Sequence, residues 1–260
     1  MPHDPATPVS TEHDRRRLLL AFNLSLAFIG LLLAVFALQP RLPVGAMAVT
    51  PGEAAGLLGL VTAPLLHGSA AHLAANASAL LILGTLAGAV YPRATLRALP
   101  LMWLGSGLGA WLLGEAGSRH LGASGVTHGL MFLVVTLGLL RRDRASIAAG
   151  MIVMLFYGGS VLAVLPHGDG ISWQSHLGGA LAGGLSGFLF RGLDPMAPRQ
   201  RYSWEREEEE AERAAMSGDA AELEPPPPRE VPVLWQRTPD DQVRGVVVRL
   251  RRPGEQAPPE

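Results

Sequence analysis

Residues 18–38 carry no charged side chain, and a helix of that length, at about 1.5 Å per residue, spans the ~30 Å hydrocarbon core of a bilayer. Arg15, Arg16 and Arg17 precede the run, an arrangement shared with cleaved signal peptides. The run is long for a signal segment, however, and no small-x-small cleavage site follows before Gln39 and Pro40. It is read as a transmembrane helix. Five further apolar runs follow at residues 70–90, 99–113, 121–140, 147–165 and 171–190, parted by segments rich in Pro and Arg. The expected fold is an all-α integral membrane protein, a six-transmembrane-helix bundle. The third span is short if Pro100 starts it, and Trp103 and Trp111 fit the role of interfacial anchors.

Arginine placement sets the orientation, because the chain has no lysine. With a cytoplasmic N-terminus, the inner segments hold Arg15, Arg16, Arg17, Arg93, Arg97, Arg141, Arg142, Arg144 and Arg191, and the outer ones only Arg41 and Arg119. This satisfies the positive-inside rule at every loop, with both termini cytoplasmic. A plasma membrane of bacterial type is the expected location.

Charge also divides the chain. Between residues 18 and 190 the only acids are Glu53, Glu115, Asp143 and Asp169, whereas residues 192–260 hold 15 acids and 10 arginines. The expected organisation is a cytoplasmic arm (1–17), a membrane domain (18–191) and a polar, largely disordered tail (192–260). The tail contains EREEEEAE at residues 205–212 and four prolines at 225–228, which read as an extended solvated linker. GVVVRL at 245–250 could be a strand or a docking peptide. The absence of cysteine and the net charge of −1 exclude a disulfide scaffold and a nucleic-acid binder.

Ionisable and polar side chains are costly in a membrane and point to a cavity or to chemistry. His72 and Asn76 share a face at i, i+4 near the start of the second span, Ser124 opens the fourth, and His176 lies near the start of the sixth. All three spans run from outside to inside, so these side chains occupy one layer in the outer part of the membrane. Ser69, Ser78, Ser106, Ser160 and Ser186 are read as packing or back-bonding serines. His120 and His167 are assigned to outer loops, His3 and His13 to the N-terminal arm, and His67 to bracing the second span.

Glycines single out Ser124 and His176. Gly122, Gly125 and Gly129 surround the serine, and Gly179, Gly183 and Gly187 follow the histidine at steps of four; such stripes let helix backbones approach closely. Packing along them would bring His176 within ~3 Å of the Ser124 hydroxyl, as a general base requires. The chemistry expected is nucleophilic acyl transfer through a serine–histidine dyad, without metal or cofactor. No acid is placed to complete a triad, Asp169 being a remote option. His72, Asn76 and the Ser124 backbone N–H are the oxyanion-side donors.

This constellation resembles the rhomboid family of intramembrane serine proteases. HGSAAHLAANASALLILG at residues 67–84 resembles its His-x4-His-x3-Asn segment, GASG at 122–125 its nucleophile motif, and SHLGGALAG at 175–183 its histidine-bearing last helix. The likeness spans residues 18–190. It implies a rhomboid-like bundle, Ser124 as nucleophile, His176 as base, His72 and Asn76 as oxyanion-side groups, and substrates that are transmembrane proteins of the lipid bilayer cut in or near their spans. The first loop lacks the family's Trp-Arg pair, and Tyr91 replaces a frequent glutamate. His128 stands where an aromatic ring often stacks on the catalytic histidine, and could stack, hydrogen-bond or shift the dyad's titration. GVTHG at 125–129 faintly resembles the rhombosortase branch. The competing expectation is an inactive rhomboid-like protein that binds transmembrane helices and affects their trafficking or turnover. A transporter is disfavoured by the lack of paired intramembrane charges and broken repeats. No motif specifies the natural substrate or an oligomeric state.

Overall fold

A computed structural model describes residues 8–166, 170–194 and 203–217. Contacts divide the chain into two units, Met1–Arg199 and Gln200–Glu260.

The first unit is built from helices α1 (Pro8–Leu38), α2 (Val44–Met47), α3 (Gly59–Thr62), α4 (Ala70–Val90), α5 (Pro92–Leu113), α6 (Ser124–Arg141), α7 (Arg144–Tyr157) and α8 (Trp173–Phe190). Five described segments are long and apolar enough to cross a membrane: Glu12–Arg41, Ala70–Val90, Pro92–Leu113, Ser124–Arg141 and Arg144–Val164. The sixth expected span is α8, as long as α6 at 18 residues. Gln174, Ser175 and His176 in its first turn keep its hydropathy low, and its glycines allow it to pack closely between α5 and α6.

Helix starts differ most from the sequence reading at α1 and α5. Helix α1 begins at Pro8, well before the apolar run, because Arg, Glu and Asp are tolerated in a helix outside the bilayer. There Arg16 pairs with Glu12 one turn away at 2.8 Å. Helix α5 begins at Pro92 and runs through Pro100. Proline at the first helical position starts a helix, since the N–H it lacks would have no partner anyway. The two N–H groups that follow, on Arg93 and Ala94, each donate to the Asp194 carboxylate at 3.0 Å.

Asp194 lies just past α8 and is buried, so the membrane unit extends beyond the composition change at residue 191. On the same side Arg141 donates to the Asp194 carbonyl (3.1 Å) and to the Asp143 carboxylate (3.3 Å). Asp143 in turn caps α7 by accepting from the Ser146 N–H (3.0 Å) and hydroxyl (2.6 Å). Its acidity is thereby raised: burial alone pushes the carboxyl up, but the Ser146 and Arg141 bonds outweigh it and hold it below the ordinary value.

At the opposite end, the segment between α1 and α4 folds into short helical turns strapped to α5. The Trp103 indole donates to the Val61 carbonyl (3.0 Å) and that of Trp111 to the Glu53 carbonyl (2.9 Å), so these anchors bind protein backbone. Gln39 brackets the His67 backbone, accepting from its N–H at 2.8 Å and donating to its carbonyl at 2.9 Å.

In the second unit, the acidic run expected to be extended lies in helix α9 (Ser203–Ser217). Glu209 and Arg213 pair at i, i+4 (3.3 Å), the spacing that supports an exposed helix. The four prolines, GVVVRL, His3, His167 and Asp169 lie outside the described residues.

Candidate active site

The glycine stripes pair as their spacing suggested. A Cβ on Gly179 would overlap the Gly125 carbonyl, and one on Gly183 the Gly129 carbonyl, so α6 and α8 touch backbone to backbone. A second seam, which the sequence reading missed, joins α5 to α8: Gly105 and Gly109 face Gly178 with no room for a Cβ on any of them. Its signal was present, because Gly105 and Gly109 also stand at i, i+4. Helix α8 is therefore held on two sides.

Above the first seam, His176 Nε2 lies 2.9 Å from Ser124 Oγ. The other ring nitrogen, Nδ1, is 3.0 Å from the Ala163 carbonyl oxygen. A carbonyl can only accept, so Nδ1 carries the proton of the neutral ring and Nε2 presents a lone pair to the serine hydroxyl. The backbone of the 3-10 turn Gly158–Val164, which continues α7, thus occupies the position an acid fills in a triad. No sequence signal could have indicated it, since every residue has a carbonyl.

Ser124 is the first residue of α6, where a backbone N–H has no carbonyl one turn earlier. Just before it, Gly122 adopts φ +120°, a conformation L side chains rarely adopt, and its Cα–H side faces the His72 ring. A Cβ there would sit 2.6 Å from His72 Cε1 and 3.7 Å from Asn76 Nδ2. Asn76 is buried, and its Nδ2 has no hydrogen-bond partner among the described residues. Helix α4 that carries both residues is capped by Ser69, whose hydroxyl accepts from the His72 N–H at 3.1 Å. All four expected residues line one cavity of about 810 Å³. His67 braces this wall: its buried ring meets that of His72 edge to face, centroids 5.1 Å apart.

The family model for the rhomboid domain matches residues 54–193. The chain belongs to the rhomboid family. An uncharacterized protein of Mycobacterium tuberculosis (strain H37Rv) is 35% identical over 197 residues, covering 71% of this rhomboid and 81% of that protein, and one of Mycobacterium bovis matches equally. An uncharacterized protein of Mycobacterium leprae is 35% identical over 141 residues, covering 51% of this chain and 56% of its own. No solved structure matches. This rhomboid is an integral membrane protein with an all-α fold.

Two further histidines belong to the region. His128 lies against His176 with ring centroids 4.0 Å apart and planes 13° from parallel. Its ring nitrogens also face the carbonyls of Ser124 (2.8 Å, Nδ1) and Ser160 (3.2 Å, Nε2), and the single N–H of the neutral ring donates to one of them. Of the options open for His128, the structure thus places stacking and hydrogen bonding together. His120, assigned only to a loop, lines the same cavity, and burial lowers its pKa. No periodic or glycine pattern in the sequence marks it.

Proposed function

We propose that this rhomboid is an intramembrane serine endopeptidase that cleaves transmembrane proteins in or near their membrane segments through a Ser124–His176 dyad. The observation that carries the reading is the 2.9 Å approach of His176 Nε2 to Ser124 Oγ, with Nδ1 engaged by the Ala163 carbonyl.

In this mechanism His176 removes the hydroxyl proton as Ser124 Oγ adds to the scissile carbonyl carbon. The resulting oxyanion is met by Asn76 Nδ2, by the His72 side chain and by the Ser124 N–H at the start of α6, where the helix dipole favours negative charge. Collapse breaks the C–N bond, and the imidazolium of His176 gives its proton to the leaving amine. Water entering from the cavity then adds to the acyl-enzyme, losing a proton to His176, and Ser124 leaves with that proton restored. The Ala163 carbonyl stabilises the imidazolium by orientation, as a carboxylate does in a triad, but without a full charge. No step requires a metal or cofactor. The mycobacterial relatives support a bacterial plasma membrane, and the arginine distribution supports an outward-facing cavity with both termini cytoplasmic.

The test is fluorophosphonate labelling of the detergent-solubilised chain beside Ser124→Ala and His176→Ala. Labelling of the unmodified protein that disappears in both variants is expected. A folded unmodified protein that neither labels nor cleaves a model transmembrane substrate in lipid would favour a helix-binding, non-proteolytic rhomboid instead.

A further inference from the structure

The glycine seams hold α8 against its neighbours along its length, but Ser124 and His176 sit at the outer ends of their helices, above the seams. Something must fix those ends relative to each other. His120, four residues before Ser124, is bonded within its own loop and to two other segments at that level. Its backbone pairs with Val49 in both directions at 2.9 Å, tying it to the segment between α1 and α4. Its ring reaches Ser118 Oγ from Nε2 (2.9 Å) and Ser172 Oγ from Nδ1 (2.7 Å). Gly114, at the end of α5, leaves the space the ring needs, because a Cβ there would lie 2.6 Å from His120 Nε2.

Ser172 is the N-cap of the helix that carries the base. Its hydroxyl accepts from the Ser175 N–H (3.3 Å) and lies 2.8 Å from Ser175 Oγ, while its carbonyl accepts from the His176 N–H itself (3.2 Å). The Ser118 hydroxyl donates to the Glu115 carbonyl at 2.6 Å, so the Ser118 oxygen accepts from His120 Nε2–H. The Nδ1 lone pair of the neutral ring then accepts from the Ser172 hydroxyl across 2.7 Å. Both ring nitrogens and the Ser172 hydroxyl are thus fully used, and the first turn of α8 is joined to the loop that leads into Ser124.

We propose that His120 is a positioning residue for the dyad: by pinning Ser172 at the start of α8 to the loop before α6, it sets the distance between His176 and Ser124. This inference rests on the proteolytic reading above. Misplacing reacting groups by about 1 Å can cost on the order of 10²-fold in rate. The effect of losing His120 therefore falls on kcat rather than on substrate binding.

The experiment compares the full chain in liposomes with His120→Ala, His120→Gln, Ser172→Ala and the Ala/Ala double variant. It measures kcat and KM on a model transmembrane substrate, the rate of fluorophosphonate labelling and thermal unfolding, with Ser124→Ala as the blank. His120→Ala is expected to lower kcat and labelling at least about tenfold with KM within about twofold, consistent with a positional loss. His120→Gln, which keeps a donor and an acceptor, should recover part of the rate. The double variant should be no slower than the slower single one, as for two residues acting through one bond. Unchanged kcat in His120→Ala overturns the inference while leaving proteolysis standing. So does a rate that only follows unfolding temperature, with no rescue by Gln and additive losses. If His120→Ala does not fold, the Gln variant decides, a wild-type rate supporting the bond and a fully lost rate in a folded protein opposing it. An unmodified chain no more active than Ser124→Ala overturns the proteolytic reading, and this inference with it.

Discussion

His128 lies face to face with His176, centroids 4.0 Å apart and planes 13° from parallel, while its Nδ1 edge is 2.8 Å from the carbonyl of Ser124. One ring therefore buttresses His176 and touches the backbone of Ser124. A flat ring is the part of His128 that this contact uses, and aromatic pairs contribute about 0.5–1.5 kcal/mol beyond area burial. His128→Phe should keep most of the activity, whereas His128→Ala should lower kcat several-fold to about tenfold. Steady-state cleavage of a transmembrane substrate by the two variants checks this.

Backbone contact between α6 and α8 leaves no space for a methyl group at Gly179, but Gly184 on the same helix has its nearest neighbour, Thr136 Oγ1, at 3.7 Å. Gly179→Ala should push the helices apart, cost about 1–3 kcal/mol and abolish measurable cleavage. Gly184→Ala should be tolerated. Thermal unfolding in detergent together with fluorophosphonate labelling separates the two, and equal behaviour would show that the seam is not what positions the dyad.

Asn76 Nδ2 is buried and has no hydrogen-bond partner among the described residues, and the proposed mechanism gives it the developing oxyanion. Its removal in Asn76→Ala should lower kcat by roughly 10²-fold, the usual scale for one oxyanion donor, with little change in KM. A loss confined to KM would assign Asn76 to substrate binding instead.

His67 connects pH to stability. Burial, followed by the proximity of His72, lowers its pKa from 6.5 to about 4. Between those values the unfolded chain binds a proton that the folded chain does not, so stability rises with pH across the window. It is complete above pH 6.5 and falls as the pH drops toward about 4. The unfolding temperature should decline over that range, and His67→Gln should flatten the decline.

At the other face, Asp194 accepts the two N–H groups that open α5. Loss of a cap of this kind costs about 0.5–2 kcal/mol. Asp194→Ala should therefore lower the unfolding temperature, and a chain ending at Asp194 should be more stable than one ending at Arg191. Both truncated chains should still label at Ser124, since the dyad lies at the opposite end of the bundle. Loss of labelling in the longer one would show that the tail takes part in the fold of the membrane unit.

Much of this was legible in the chain. The run at residues 70–90 coincides with α4 because Ser69 caps one end and Pro92 follows the other. The starts of α1 and α5 were not legible, because hydropathy marks the bilayer and not the helix. Charged residues continue α1 into water, and Pro92 begins α5 instead of interrupting it. The helical acidic run of α9 was hidden for a related reason: it is charged almost throughout, and pairs such as Glu209 with Arg213 form only once the helix does.

Apolar length, arginine placement and glycine spacing are properties of consecutive residues, so the sequence by itself determined the membrane class, the all-α fold and the family. What only tertiary structure decided are contacts between groups with no sequence signature. The partner of His176 Nδ1 is a backbone carbonyl, the cap of α5 comes from a residue 101 positions away, and His120 becomes a junction because three segments meet at its ring and backbone. A carbonyl or a loop histidine acquires a role from what packing brings within about 3 Å, the range in which a hydrogen bond acts. Packing is set by the whole chain at once.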